Sequence, residues 1–468
     1  MSRLSYAALP GLPPETRPQA DPRELRPRIV HLGLGAFHRA HQAVYTEQNT
    51  GGGGWGIAGF AQRSHSVVEA LRPQDGLYSL TLRHPGAPST RVVGSLVEVL
   101  HATGDAERLT ALLTSSDVTV VTSTVTEKGY RRDAVGGGLD LADPLIRADL
   151  GADSDHAPAT VVGQVANGLR ARFRRSGAPL SMVCCDNMAA NGPVVARLVR
   201  EFIQAAPWPE RDRLLEWVTE AVAFPATVVD RIVPAATERD RVTAAGVLGV
   251  RDEGAVVGEP FTQWVLEDRF AADRPRWETG GARFVADVTP YQLTKLRLLN
   301  GAHSLIAQLG LRAGCVTVAD ALATEWGEEA VRAFCAEVSP TLPSAEGLDI
   351  AAYTDALVAR FGNPSMHHRL HQIASDSSLK IPERWLAPVR ELRAAGRETP
   401  QLSRALAAWA RGTRDPSAAR PADPAAALLH AAWQGRAPAD AVRALFTVLG
   451  ADDLAQDGEL VAEVAAEL

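Results

Sequence analysis

The strongest constraint in this sequence is a change of periodicity partway along it. From Arg28 to about Asp287, short runs rich in β-branched residues alternate with segments of helical length, and beyond Asp287 the strand-like runs stop. Such alternation is the mark of parallel strands joined by crossover helices, because a tight turn cannot link two parallel strands. The runs are "RIVHLGLG", "GWGIAGFAQ", "DVTVVTSTVTEKGY" and "PLSMVCCDN", with "RVVGSLVEVL" fitting a hairpin or an edge strand. The third begins as an almost continuous Val/Thr stretch, as a strand covered on both faces should. Between them, "PATVVGQVANGLRARFRRSG" reads as a helix closing on basic residues and a glycine, and "NGPVVARLVREFI" as another.

After Asp287 helical periodicity takes over, in "YQLTKLRLLNGAHSLIAQLG", "DALATEWGEEAVRAFCAEV", "LDIAAYTDALVARFG", "PSMHHRLHQIASD" and "PERWLAPVRELRAAG". The tail from Gln401 continues so, around a Pro/Ala loop, "TRDPSAARPADP". A chain of 468 residues exceeds one ordinary hydrophobic core. The expectation is therefore an α/β domain over residues 1–287, with a proline-rich N-terminal surface arm, then a mostly α-helical domain over residues 288–468. The glycine runs Gly51 to Gly54 and from Gly136 read as loops.

Composition removes several classes of function. A net charge of −7 argues against a sequence-independent nucleic-acid binder, which needs a basic face. The one basic cluster, Arg170 to Arg175, sits where a helix C-terminus welcomes cations. The four cysteines, Cys184, Cys185, Cys315 and Cys335, follow no zinc spacing and suggest no disulfide framework, so a cytoplasmic location is expected. The N-terminus lacks the charged start and apolar core of a signal peptide, and no apolar run approaches the roughly 20 residues that span a bilayer.

"RIVHLGLGAFHRAH" sets Gly33 and Gly35 directly after the first strand and before a helix. Such a junction offers backbone N–H groups to a pyrophosphate and makes the first domain Rossmann-type. The usual third glycine is replaced by His38, and a two-glycine turn also occurs as a plain turn. The acidic residue that commonly ends the second strand and holds the ribose of NAD is missing too; Gln62, Arg63 and Ser64 stand there. Arg63 suits a 2′-phosphate and hence NADP, or is an ordinary surface arginine; the sequence leaves both open.

In "KLRLLNGAHS" a weak helix former, Asn300, precedes the weakest non-proline one, Gly301. On an ideal helix Lys295, Asn300 and His303 share about 140° of arc, with Lys295 and His303 about 80° apart. An amine, an amide and an imidazole would then converge on one cleft. Gly301 costs roughly 1 kcal/mol against alanine, which makes sense where a substrate or another backbone comes close. A solvated polar stripe with an incidental glycine is the bland alternative.

Ordered along the chain are "HLGLGAFHRAHQAVYT", "QDGLYSL", "TVTEKGY", "CDNMAANG", "FPATVVDRIVP", "EPFTQWVLED", "FVADVTPYQLTKLRLLNGAHS" and "HHRLHQIASD". With this set, from about Arg28 into the helical region, the chain resembles the zinc-independent long-chain polyol and sugar-acid dehydrogenases, the mannitol 2-dehydrogenase and fructuronate reductase (mannonate oxidoreductase) family. The resemblance implies a metal-independent oxidoreductase using NAD, with NADP possible. It implies Lys295 as general acid/base, a role a lysine fills near neutral pH when burial or positive neighbours lower its pKa. It further implies Asn191 and Asn300 as donors to the oxygen that gains negative charge. His303 would orient that oxygen or the lysine, Asp230 would be a substrate-side carboxylate, and Gly33, Gly35, Phe37 and His38 would form the cofactor loop. Asn191 before a glycine also fits a turn, and Asp230 before Arg231 a local ion pair.

The family divides by substrate. "TEKGY" puts Lys128 just past a central strand, where ligands lie in open α/β sheets. "NPSMHHRLHQIASDSSLKIP" adds Arg369 and Lys380, and its H-R-x-x-Q-I pattern looks more like the fructuronate reductases; a hexuronate carboxylate would pair with such cations. Ser377 stands where the family tends to have glycine, which bears on the placing of Lys380. The expected ligand is thus a small sugar acid, D-mannonate or D-fructuronate, with a polyol such as D-mannitol or D-arabinitol as the alternative. A non-catalytic dinucleotide sensor is the alternative of another class. His367 and His371, four apart, have the spacing to share a helical face and a metal, but no carboxylate or cysteine completes a ligand set, and no metal is expected. The oligomeric state is not readable.

Overall fold

The protein is seen here as a computed structural model, which describes residues 1–49, 52–133, 136–151, 157–414 and 421–468. Gly51 of the first glycine run and residues 415–420 of the Pro/Ala loop fall outside them. The chain divides into two compact units, Met1–Val288 and Thr289–Leu468.

The strands of the first unit are β1 (Arg26–Leu32), β2 (Trp55–Ala61), β3 (Tyr78–Leu82), β4 (Ser89–Val93), β5 (Leu96–His101), β6 (Val120–Ser123), β7 (Leu180–Cys184), β8 (Val222–Ala223), β9 (Thr227–Asp230), β10 (Val256–Gly258), β11 (Gln263–Glu267) and β12 (Arg283–Val285). Six of them make one sheet in the order β5-β2-β1-β6-β7-β8, parallel throughout. The chain winds outward from β1 to β5, then returns to β6 on the other side of β1. This leaves a topological switch between β1 and β6, the place where such sheets bind ligands. Every residue of β2, β6 and β7 is buried, as helices on both faces require. The smaller sheets run β10-β3-β4 and β12-β11-β9.

"RVVGSLVEVL" forms no hairpin. β4 pairs antiparallel with β3, while β5 becomes the edge strand beside β2. Between them the Ile57 N–H takes the Ser95 carbonyl, and the Gly94 N–H donates to the Glu47 carboxylate, so the chain is handed from one sheet to the other. The proline-rich arm is docked rather than projecting. It coils through short 3-10 turns and buries Leu4 and Leu12 against Leu77, Val92, Leu248 and Val250.

The basic helix end is structural as well. Arg172, in the helix Val161–Arg175, is buried and donates to the carbonyls of Leu113, Ser115, Val118, Ala178 and Pro179. Burial brings its guanidinium down to about 10. Arg170 and Arg174 both pair with Glu210.

The second unit is helical around the segment Gly301–Arg312, which is buried from Gly301 through Gly310. Leu298, Leu305, Phe334, Trp385 and Leu406 are among its core side chains. Two of its segments are π-helical, Lys295–Asn300 and Pro382–Leu386. Among the described residues no helix is long and apolar enough to cross a membrane.

Candidate functional site

In the first unit the candidate site lies at the switch point. Past β1, Gly33 has φ +103°, and a Cβ there would sit 2.2 Å from the Thr124 carbonyl oxygen, so only glycine fits between the ends of β1 and β6. Gly35 enters the helix Ala36–Ala40 in extended conformation. A Cβ on Gly35 would meet nothing nearer than the Gly33 oxygen at 3.7 Å, which leaves that stretch of backbone open to a pyrophosphate. The residues present thus fit a dinucleotide. Phe37 is half-buried and stacks on His41 at 5.0 Å. Arg63 is exposed past the end of β2.

His38, expected to be part of the cofactor loop, is an interior side chain. It is fully buried and stacks 3.3 Å from His31. The His31 ring is pinned between the Thr122 hydroxyl (2.8 Å), the Thr124 hydroxyl (3.0 Å) and the Gly33 carbonyl (3.1 Å). Burial takes His31 down to about 3 and His38 well below the usual range, so both are neutral. The pair is a floor under the glycine turn.

Across the switch point the chain leaves β6 through Thr126, a non-glycine residue at φ +71°, ψ 155°. Few backbones hold that conformation unaided. Asp186 holds it here, accepting from the N–H groups of Val125 (3.1 Å) and Thr126 (2.7 Å) and from the Tyr130 hydroxyl (2.6 Å). Burial raises the Asp186 pKa, and those donors oppose the rise. Sequence reading passed over Asp186; the signal available was an acid directly after a central strand, in "CDN". Lys128 is exposed in the turn that follows Thr126.

Asn191 is buried, and its amide is already committed. Nδ2 donates to the carbonyls of Asp186 and Thr227, both at 3.1 Å, while Oδ1 accepts from the N–H groups of Gly192 and Thr227, both at 2.9 Å. Both amide protons are engaged here on backbone carbonyls, so that Asn191 ties β9 to the exit of β7. Asp230 is buried at the end of β9, opposite Gln263. Arg231 donates to the carbonyls of Glu259 (2.9 Å) and Ala40 (2.5 Å).

In the second unit, Lys295 and Asn300 are the two ends of a π-helical turn. The Gly301 N–H reaches back to the Leu296 carbonyl, five residues away, so ideal-helix arithmetic does not hold across this stretch. The second π turn serves the first. Arg384 donates to the Asn300 carbonyl (3.2 Å) and the Ser304 hydroxyl (2.9 Å), and the Trp385 indole donates to the Gly301 carbonyl (3.1 Å). Gly301 itself is explained by packing rather than by an approaching substrate. A Cβ there would lie 2.9 Å from the ring of buried Phe334.

The Asn300 side-chain amide makes no hydrogen bond among the described residues, in contrast to Asn191. His303 is buried, stacked 4.0 Å from Phe361 and edge-on to His368 at 5.1 Å. Its Nε2 has no hydrogen-bond partner among the described residues. Burial, then the nearby charges of His368, Arg360 and Arg384, holds its pKa well below the usual range. Burial likewise brings Arg384 to about 10. Lys380 donates to the carbonyls of Ile373 (3.1 Å) and Ser375 (2.5 Å), and burial, then Arg384, lowers its pKa. Arg369 is exposed just ahead of the helix Leu370–Ala374. His367 caps a preceding 3-10 turn while His371 lies in that helix, so the two share no helical face. Among the described residues no three His, Cys, Asp or Glu side chains are grouped to hold a metal.

Residues 27–279 match the mannitol dehydrogenase Rossmann domain and residues 287–468 the mannitol dehydrogenase C-terminal domain. The chain is 41% identical to the D-mannonate oxidoreductase of Escherichia coli, covering 97% of this chain and 95% of that one. A D-sorbitol dehydrogenase in substrate-free form superposes with a TM-score of 0.90 at 29% identity, over 100% of this chain and 97% of that one. The Pseudomonas fluorescens mannitol 2-dehydrogenase, solved with NAD and D-mannitol, superposes with a TM-score of 0.82 at 33% identity, over 99% and 96%.

Proposed function

The chain belongs to the mannitol dehydrogenase family, and on that premise we propose that it is an NAD-dependent oxidoreductase interconverting D-mannonate and D-fructuronate. The observation that carries the choice of a sugar acid is the setting of His303. Its ring lies near Arg360 and Arg384, beside a His368 whose own pKa burial lowers, and its buried Nε2 has no partner among the described residues. A neutral imidazole with arginines nearby suits a substrate that brings its own negative charge. The 41% identity with a D-mannonate oxidoreductase supports the same reading.

Gly33 and Gly35 hold the dinucleotide, with Phe37 beside them. The nicotinamide, when bound, accepts or supplies the hydride. Lys295 takes the hydroxyl proton in oxidation and returns it in reduction. The uncommitted Asn300 amide donates to the substrate oxygen as charge builds on it, and His303 Nε2 orients that oxygen. Asp230 faces the substrate, and Asn191, held at the exit of β7, is a second amide donor to that oxygen. Lys128, Arg369 and Lys380 are the candidate partners of the carboxylate; Lys380, with two N–H groups on carbonyls, keeps a third to offer.

The test is an initial-rate assay pairing NADH and NADPH with D-fructuronate and D-fructose at matched concentrations. Turnover of fructuronate alone is the expected result. Turnover of fructose alone would move the protein to the polyol dehydrogenases and sink the carboxylate argument.

A further inference from the structure

We propose that Asp186 is a positioning residue for the substrate: it fixes both ends of the turn that bears Lys128 and so presents that lysine to the carboxylate. This rests on the sugar-acid reading above.

Lys128 lies in the 3-10 turn Glu127–Tyr130. The two residues that bracket the turn hold a backbone most side chains avoid, Thr126 entering at φ +71° and Arg131 leaving at φ +53°. A β-branched residue such as Thr126 keeps a positive φ only where its surroundings impose it. Here they are imposed from the end of β7, the strand beside β6. Asp186 Oδ1 accepts from the Thr126 N–H at 2.7 Å, ahead of the turn, and Oδ2 accepts from the Tyr130 hydroxyl at 2.6 Å, at its far end. One carboxylate therefore clamps a loop whose middle is Lys128. Within the loop the Gly129 N–H closes on the Thr126 carbonyl at 2.9 Å.

The clamp is buried and the lysine is not. Asp186 and Tyr130 are both interior, and the Tyr130 hydroxyl also meets the Ser123 hydroxyl (2.7 Å) and the Cys184 thiol (3.1 Å) at the ends of β6 and β7. Lys128 is exposed and makes neither a hydrogen bond nor an ion pair among the described residues. Its acidic neighbour in the turn, Glu127, is taken by Arg132 at 3.3 Å. A held backbone under an uncommitted ammonium meets an anion without the cost of ordering a loop as it binds. Asp186 reaches the other end of the substrate as well, since its carbonyl accepts from Asn191 Nδ2 at 3.1 Å. One residue thus ties the partner of the carboxylate to an amide placed for the reacting oxygen.

The test is a double-mutant cycle read on the KM for D-fructuronate, with the KM for NADH measured beside it. Lys128→Ala is expected to raise the fructuronate KM by about tenfold or more, the loss of one charged contact. Asp186→Asn is expected to raise it by about as much, and Tyr130→Phe, which keeps the ring and loses the hydroxyl, by about threefold to tenfold. In a Lys128→Ala background neither is expected to raise it further, because both act through the lysine. The KM for NADH should hold throughout. Should Asp186→Asn not fold, the Tyr130→Phe arm decides alone. Equal increases in both backgrounds would make the clamp merely structural and overturn the proposal. A rise in the NADH KM instead would give Lys128 to the dinucleotide, with the same result. An unchanged fructuronate KM in Lys128→Ala would overturn the proposal and leave the sugar-acid reading standing. A wild-type protein that does not turn over fructuronate would overturn that reading, and the proposal with it.

Discussion

The two units satisfy their backbones in different ways. In the sheet unit, loops at strand ends leave peptide groups without ladder partners, and buried charged side chains take them up. Arg172 collects the carbonyls of Leu113, Ser115, Val118, Ala178 and Pro179, Asp186 collects the N–H groups past β6, and Asp252 accepts from the N–H groups of Ser79 and Gly254. The helical unit bonds most of its own peptides internally. Its side chains reach backbone most tellingly at the π turns, where Arg384 and Trp385 meet the carbonyls of Asn300 and Gly301. In the first unit, then, a buried charge marks a loop being held. In the second, a side chain on a helix carbonyl marks a departure from α geometry, and the proposed catalytic residues lie on that departure.

The comparison assigns chemistry to the helical unit and dinucleotide binding to the sheet unit, and Lys295→Ala separates them most sharply. Turnover should fall by about a thousandfold, near 4 kcal/mol of transition-state stabilisation, while NADH titrates as in the wild type. Rates within a few-fold of wild type would remove Lys295 from the mechanism; a ligand response outliving turnover would favour the sensor alternative.

Arg172→Met tests whether a buried charge holds the sheet unit. It leaves five carbonyls, those of Leu113 and Val118 buried, without their donor at once, and urea unfolding should show at least about 3 kcal/mol of lost stability. A loss under about 1 kcal/mol would mean water or relaxed backbone replaces the guanidinium.

Acid should expose a feature the units share, buried neutral imidazoles. His31 titrates near 3 in the folded chain, far below an unfolded histidine. As pH falls below about 6.5 the unfolded chain takes up a proton the folded chain refuses, so stability drops, by about 2 kcal/mol between pH 7 and pH 5 for this one ring. His38 and His303 act with the same sign. Thermal unfolding should therefore come earlier at pH 5 than at pH 7; a flat profile would show that the His31 and His38 rings take up protons in the fold.

What was legible in the sequence follows the same division. Strands with both faces covered read as apolar runs, and a glycine jammed against Thr124 leaves its mark as a glycine, so β1, β6, β7 and the turn at Gly33 were visible. The burial of His38 was not legible, because a histidine in a polar-looking motif gives no sign of a stacking partner at His31, seven residues earlier. The tie from Asn191 to Thr227 was not legible, because an amide's partners are set by tertiary contact. Gly301 could be noticed but not explained, since Phe334 is distant in sequence. The π turns were the deepest omission. They keep apolar spacing close to that of an α-helix, and what sustains them is donated from Arg384 and Trp385, more than eighty residues on.

Trp385→Phe probes that dependence with the smallest perturbation. Phenylalanine keeps an aromatic ring in the core but cannot donate to the Gly301 carbonyl, a loss of about 1 kcal/mol. A change in overall stability alone would make the indole an ordinary core anchor. If the bond helps fix the turn between Lys295 and His303, kcat should drop several-fold while the NADH dissociation constant holds, because no group of the sheet unit has changed. Arg384→Lys should act in the same direction, since a lysine keeps the charge but does not place a nitrogen where the Arg384 Nη1 donates to both the Asn300 carbonyl and the Ser304 hydroxyl. Loss of kcat in both variants, with dinucleotide binding intact, would tie the proton-transfer geometry to the contact between the two π turns. Loss of NADH binding instead would break the division of labour from which the comparison began.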